Sequence, residues 1–302
     1  MLKPAQPTIV IQGFLEAGVS VLLFGCVPVV IKYLSANAFT IGIFRLGVAS
    51  ICMLAMLRAK KELFRLKRKE LLILTSIGLL FGAHWMTHFI SIKVSSASIA
   101  SIGLSTYGIH LILLTRFVEK NRVTLSDGIA VFLAAAGSIL IIPQFSLSNH
   151  TTLGVCLGII SGLFCAILPI LHQRYAHIPS SMRAFAQFLF GFVFFLFFFP
   201  LSEWSLPPRD WFWLVFLAVI GTFVAHTLWV RVTTTLSTKA TSVIFYLFVP
   251  IAMLLSFLLL DEPMSGEKVV GAAAVIAGNL FGLSRQWRND DVLARRIHDK
   301  TA

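Results

Sequence analysis

The chain has 302 residues, of which 57% are hydrophobic and only 13% charged, with a mean hydropathy of +0.88. Soluble domains carry about a quarter charged residues, so this composition excludes a water-facing surface and with it a soluble enzyme. The net charge of +12 does not mark a nucleic-acid binder, because no basic face with interleaved aromatics exists outside the apolar runs.

Residues 1–12 are polar and lack a cleavable-signal layout: the first apolar run is too long for a signal core and has no small-residue cleavage site. Ten stretches then approach the roughly 20 apolar residues that a hydrocarbon core about 30 Å thick requires. They are 13–34, 39–57, 71–92, 97–117, 125–142, 153–171, 182–201, 211–230, 240–260 and 266–283. Almost nothing separates them, so the expected fold is an all-α integral membrane protein with ten transmembrane helices and no soluble domain.

Lysine and arginine set the expected orientation. The second connection carries Arg58, Lys60, Lys61, Arg65, Lys67, Arg68 and Lys69, and the fourth carries Arg116, Lys120 and Arg122. The tail carries Arg285, Arg288, Arg295, Arg296 and Lys300, whereas residues 144–152 hold no charged side chain. Basic residues stay on the cytoplasmic side, which places both termini there, in a multi-pass protein of the inner (plasma) membrane. The run from Arg58 to Lys69 is expected to lie on anionic headgroups, making membrane lipid a partner. Cys26, Cys52, Cys156 and Cys165 lie inside apolar runs without the close spacing of a metal or redox motif, and read as small packing residues. No cofactor or metal is expected.

The two halves repeat. Ala83-His84 precedes Glu119 by 35 residues from the histidine, and Ala225-His226 precedes Glu262 by 36; Gly128 and Gly271 each follow their glutamate by 9. Each half also opens with a proline-containing run, at Pro28 and Pro169. Five crossings per half is an odd number, so the second copy must be inverted, as in carriers whose site lies at the repeat interface near the midplane. The expected division is a cytoplasmic N-terminus at 1–12, one five-helix repeat at 13–143, a non-cytoplasmic linker at 144–152, a second repeat at 153–284 and a basic cytoplasmic tail at 285–302.

These features resemble the drug/metabolite transporter superfamily and, within it, the EamA-like ten-helix transporters. Carrying the resemblance are Lys32 near the end of the first run, Phe44-Arg45-Leu46-Gly47-Val48-Ala49 in the second, and the acids of Val118-Glu119-Lys120 and Asp261-Glu262-Pro263, each followed by a small-residue run. The resemblance implies two inverted five-helix halves, with helices one to four and six to nine around a cavity and the fifth and tenth as supports. One departure stands out. Pro250 fills the family's mid-helix proline in the ninth helix, but Tyr107 stands near its counterpart in the fourth. That leaves two expectations, a straighter fourth helix or Tyr107 as a substrate contact.

Charge inside a membrane costs at least about 2.5–3.5 kcal/mol at a helix centre on insertion scales. Arg45 is therefore either an anion clamp in the cavity or a structural tie. Lys32 either snorkels or takes part in substrate binding, and Glu16 reads as solvated at the interface rather than as a proton carrier. His84 and His88 are four apart, on one helix face beside Trp85, and are candidates for ligand binding or proton relay, against plain interhelix bonding. No acid or cysteine near in sequence completes a zinc site. His226 and Trp229 match them in the second half. The fourth run holds Ser95, Ser96, Ser98, Ser101, Ser105, Thr106, Tyr107 and His110, the mark of a wet cavity wall or of tight packing, and the ninth offers Thr241, Ser242 and Tyr246 for an aromatic-lined pocket. The substrate-binding candidates are thus Arg45, Lys32, His84, Trp85, His88, Tyr107, His226, Trp229 and Tyr246. Glu119 and Glu262 read as helix-end anchors, Ala134–Gly137 and Gly271–Ala274 as close packing, and the phenylalanines from Phe185 to Phe199 as a lipid-facing wall. Asn149-His150-Thr151 matches a glycosylation sequon of little weight.

The leading expectation is a secondary carrier exporting amino acids or related small metabolites, with uptake or exchange equally compatible. A channel is one alternative. An intramembrane enzyme is another, lacking H-E-x-x-H and G-x-S-x-G. No nucleotide-binding loop points to ATP drive. Partners expected are a small-molecule substrate and lipid, with a homodimer left open and no nucleic acid.

Overall fold

A computed structural model describes residues 7–61, 66–118, 124–142, 146, 148–236 and 238–301. Arg65, Glu119, Lys120, Arg122 and Gln144 lie outside the described residues, as do the side chains of Ser242 and of the tail from Arg285. The described residues form helices α1 (Pro7–Tyr33), α2 (Ala38–Ala59), α3 (Arg68–Val94), α4 (Ala97–Leu104), α5 (Tyr107–Val118), α6 (Leu125–Leu140), α7 (His150–Arg174), α8 (Ser180–Leu196), α9 (Pro208–Ala218), α10 (Ala225–Thr235), α11 (Thr238–Phe245), α12 (Phe248–Leu260) and α13 (Gly266–Thr301). Three pairs, α4–α5, α9–α10 and α11–α12, are each one interrupted crossing, so thirteen helices make ten segments. Seven described segments are long and apolar enough to cross a membrane, and α6 and α8 are shorter apolar helices. The fold is an all-helical membrane protein built from two repeats.

The packing shows how the halves are related. The third segment rests on the sixth and seventh, and the eighth correspondingly rests on the first and second. The first packs on the ninth as the sixth packs on the fourth. Every such contact has its counterpart with the halves exchanged. The fifth and tenth segments pair with each other, and their small-residue rows explain why. A Cβ added to Gly137 would fall 2.6 Å from the Gly271 carbonyl oxygen, and one added to Gly271 would fall 2.6 Å from that of Gly137. Without side chains at these positions the two backbones touch, a close approach that lipid-embedded helices use to gain packing.

The fourth segment is not straight, although it lacks the proline. It breaks at Ser105–Thr106, because hydroxyls take over helix carbonyls: Ser105 Oγ donates to Ile102 O at 2.6 Å and Thr106 Oγ1 to Gly103 O at 2.8 Å. Local bonds of this kind compete with the helical ladder. The ninth segment breaks at the matching place, ahead of Pro250. Ser101 likewise bonds to Ala97 O, so these hydroxyls serve packing rather than a wet wall.

The phenylalanine-rich segment corrects another expectation. Phe188 and Phe195 are fully buried, and Phe190, Phe192 and Phe194 pack on the core. Gly42 and Gly82 leave notches that the rings of Phe195 and Phe194 occupy, and Gly78 leaves one for the Cβ and backbone of Phe190. The exposed apolar surface here is Val193 and Leu196 on α8 with Phe197 and Phe199 just beyond it. Asn149 is the N-cap of α7, its side chain accepting from Thr151 N and Thr152 N, which accounts for the residues of the sequon.

Gly103 and Gly158 bring the fourth and sixth segments into contact, each added Cβ falling 2.9 Å from the other glycine's Cα. Gly103→Val should therefore force these backbones apart and cost about 1–3 kcal/mol, read as a lowered melting temperature of the detergent-solubilised protein. An unchanged melting temperature would show that the segments are not in backbone contact.

Candidate functional site

The helices define two ends: a near end, where α1 begins, and a far end, where it stops. Between them lies a cavity of about 870 Å³, counted with the part open to its surroundings. Its wall comes from the first four and the sixth to ninth segments, and among the described residues none of α6 or α13 lines it. Pro28 and Pro169, within the opening helix of each half, face each other across it. Proline cannot donate to the preceding turn, so each helix can bend around the space.

Arg45 lies about 10 Å along α2 from the far end, at the helical rise of 1.5 Å per residue, and is completely buried. The eighth segment supplies its partners. Between α9 and α10 the backbone takes a six-residue π-type turn, Val219–Val224. Arg45 Nε donates to Thr222 Oγ1 at 2.9 Å and Nη2 to Gly221 O at 3.2 Å. Trp85 covers the guanidinium at 4.1 Å from its ring centre and Phe89 at 5.1 Å, within the range of cation–π attraction. Nη1 has no hydrogen-bond partner. Arg45 lines the cavity, so it is a structural tie on one edge and a free donor on the other.

The histidines sit side by side as their spacing predicts, with His84 and His88 stacked at 6.1 Å between ring centres. His84 Nδ1 meets Ser161 Oγ at 2.7 Å, and Ser161 Oγ donates back to His84 O at 3.0 Å. His84 thus joins the third and sixth segments, whereas His88 Nδ1 has no partner. His226 packs among Phe24, Phe81 and Trp85 at 4.6, 5.1 and 5.3 Å, and Trp229 lies 5.3 Å from Phe245. Tyr107 stands at the break of the fourth segment, 5.0 Å from Phe245. His84, His88, Tyr107, His226 and Trp229 all line the cavity. Repeat symmetry brings His84 and His226 to opposite sides of one space.

Two candidates lie elsewhere. Lys32 is at the far end, donating to Lys93 O at 3.2 Å and Ser95 O at 2.6 Å. Tyr246 points away from the cavity toward Gly108, where an added Cβ would fall 1.5 Å from the phenol oxygen. Glu16 is held at the near end by Arg231 at 3.1 Å, a tie between the first and eighth segments. Glu262 is an anchor: its carboxylate accepts from Ala97 N at 2.8 Å and Ser98 N at 3.2 Å, where a helix N-terminus favours negative charge.

The far end is densely tied. Lys93 Nζ donates to Leu34 O, Ser35 N to Asp210 at 2.8 Å, and Thr40 Oγ1 to Glu203 O at 2.8 Å. The cavity wall stops short of these bonds but reaches the near end through His172, Gln187, Thr233 and Thr241. His172 Nε2 and Gln187 Oε1 lie 2.9 Å apart, and Arg183 holds the neighbouring chain through His172 O, Ile178 O and Thr234 Oγ1. Sequence reasoning passed over His172, Gln187 and Arg183; the signal was the polar pair Arg183 and Gln187, four apart in an otherwise apolar run. For Gly221 and Thr222 no signal existed, since neither is unusual in a membrane helix.

The sequence profile of the EamA-like transporter family matches residues 12–142 and again 152–283. Two proteins of Bacillus subtilis are similar. Uncharacterized transporter YyaM is 25% identical over 264 residues, covering 80% of this chain and 86% of that one. Uncharacterized transporter YetK is 29% identical over 232 residues, covering 72% and 67%. A solved crystal structure shares the fold with a TM-score of 0.65 at 14% identity, over 89% of this chain and 95% of that one.

Thr222→Val removes the acceptor of a buried guanidinium donor and should cost about 1–3 kcal/mol of stability. Removing both partners, in Arg45→Met with Thr222→Val, should recover part of that loss, because no charge is left unpaired. Thermal melts of the two variants test this; a fully tolerated Thr222→Val would show that the bond does not hold Arg45.

Proposed function

Because this chain belongs to the EamA-like transporter family and is a transporter rather than an enzyme, we propose that it exports amino acids or related small metabolites across the inner membrane. Loading takes place in the cavity between the halves. The observation that carries this reading is the wall itself: eight segments surround a space that reaches the near end while hydrogen bonds tie the far end. Basic residues of the second connection lie at the near end, at Arg58–Lys61 and Lys67–Lys69, and the positive-inside rule assigns that end to the cytoplasm. A cytoplasmic solute then meets a site before the far end opens, and rocking of one repeat against the other releases it outside. Both termini are cytoplasmic in this arrangement. The basic residues of the second connection rest on anionic lipid, and the lipid-exposed residues of the described surface leave room for a second copy.

The test compares metabolites in medium and cytosol of cells expressing the intact chain, an Arg45→Ala variant at equal membrane level, or an empty vector. The expected outcome is that one solute class accumulates in the medium with the intact chain and that the shift falls at least tenfold with Arg45→Ala. A shift into the cytosol would reverse the direction, and no difference between intact chain and vector would remove the exporter reading.

A further inference from the structure

We infer that the cavity selects organic carboxylates with an apolar, preferably aromatic, body and no ammonium group. This narrows the proposed carrier function to acids related to amino acids and rests on that function.

Three observations carry it. First, the cavity has a fixed anion anchor. Arg45 Nε and Nη2 are held by Thr222 Oγ1 and Gly221 O, so the guanidinium cannot swing away. Nη1 is buried and unpartnered, in a side chain that lines the cavity. A planar guanidinium edge suits a carboxylate oxygen, and a charge-assisted bond is stronger than a neutral one. His88 Nδ1 is a second buried nitrogen without a partner on the same wall.

Second, no carboxylate among the described residues lines the cavity to balance a positive group. The acids among the described residues are engaged or placed at the ends of helices: Glu16 with Arg231, Asp127 with Arg116, Asp210 with Ser35, Glu262 with Ala97 and Ser98. An ammonium entering beside Arg45 would be buried without a counter-charge and close to a like charge, which is strongly unfavourable. A zwitterion gains at the carboxylate and loses at the amine; a carboxylate alone only gains.

Third, aromatic rings make up much of the remaining wall. Phe24, Phe81, Trp85, Trp229 and Phe245 surround the space. Such a wall takes a flat apolar body, while the few polar groups fix its orientation. The acid group reaches Arg45 toward the far end, and the body fills the space toward the near end.

Three ligands that share one ring and chain separate the terms: 3-phenylpropanoate, phenylalanine and 2-phenylethylamine. Binding to the purified full chain is measured by isothermal titration, and each compound is tested as a competitor of 3-phenylpropanoate exchange in liposomes. The expected order is 3-phenylpropanoate at least tenfold tighter than phenylalanine, with no competition by the amine. Arg45→Gln should weaken 3-phenylpropanoate at least tenfold and, by removing the like charge, bind the amine no worse than the intact chain does. Phenylalanine equal to or tighter than 3-phenylpropanoate, preference for the amine, or no binding of any of the three would overturn the inference. The ligand order on the intact chain decides even where Arg45→Gln does not fold. Failure here leaves the carrier function standing, because that function falls only if no solute moves in expressing cells.

Discussion

A guanidinium buried in a hydrocarbon layer has to be held from all sides, and the centre of this molecule is arranged around that need. Arg45 on the second segment takes its acceptors from the eighth and its aromatic cover from the third. The acceptors are available because the eighth segment departs from regular α-helix at Val219–Val224, and π-type turns of this sort commonly accompany functional positions. Three segments from the two halves therefore meet at one side chain. The cavity is the space left on the side that this arrangement does not fill, and its donor is the one nitrogen the arrangement does not use.

Charge elsewhere follows the same economy of placement. Asp127, Asp210 and Glu262 meet backbone N–H groups or basic side chains at helix ends, Glu16 meets Arg231, and no acid among the described residues stands in the cavity wall. Lysines at the far end spend their donors on helix-end carbonyls. Among the described residues Arg45 is thus the single Arg, Lys, Asp or Glu side chain on the cavity wall, a distribution that treats anionic and cationic solutes very differently.

Much of this architecture is legible in the sequence. Ten apolar runs and the spacing from His84 to Glu119 and from His226 to Glu262 point to inverted halves, and the small-residue rows at Gly137 and Gly271 point to close packing without naming the partner. His84, Trp85, His88, His226 and Trp229 share a space because repeat symmetry puts them at matching depths. Other features depend on partners distant in sequence. Phe188 and Phe195 read as lipid-facing until the glycine notches of the second and third segments are in place. The break in the fourth segment comes from hydroxyls and not from a proline, and serine-rich composition alone allows either a straight or a broken helix. Tyr246 and Lys32 carry the chemistry of a binding site, yet one turns toward Gly108 and the other caps helix ends. Arg45 reads equally as clamp or tie, and the structure divides its nitrogens between the two.

The lysines at the far end have a consequence of their own. Lys32, closing the first segment, reaches across to carbonyls at the end of the third, and Lys93, in the last turn of the third, reaches back to Leu34 beyond the first. The two bonds cross one gap in opposite directions. Parting the tips of the first and third segments therefore takes the acceptors from two ammonium groups, and water has to replace both sets of bonds.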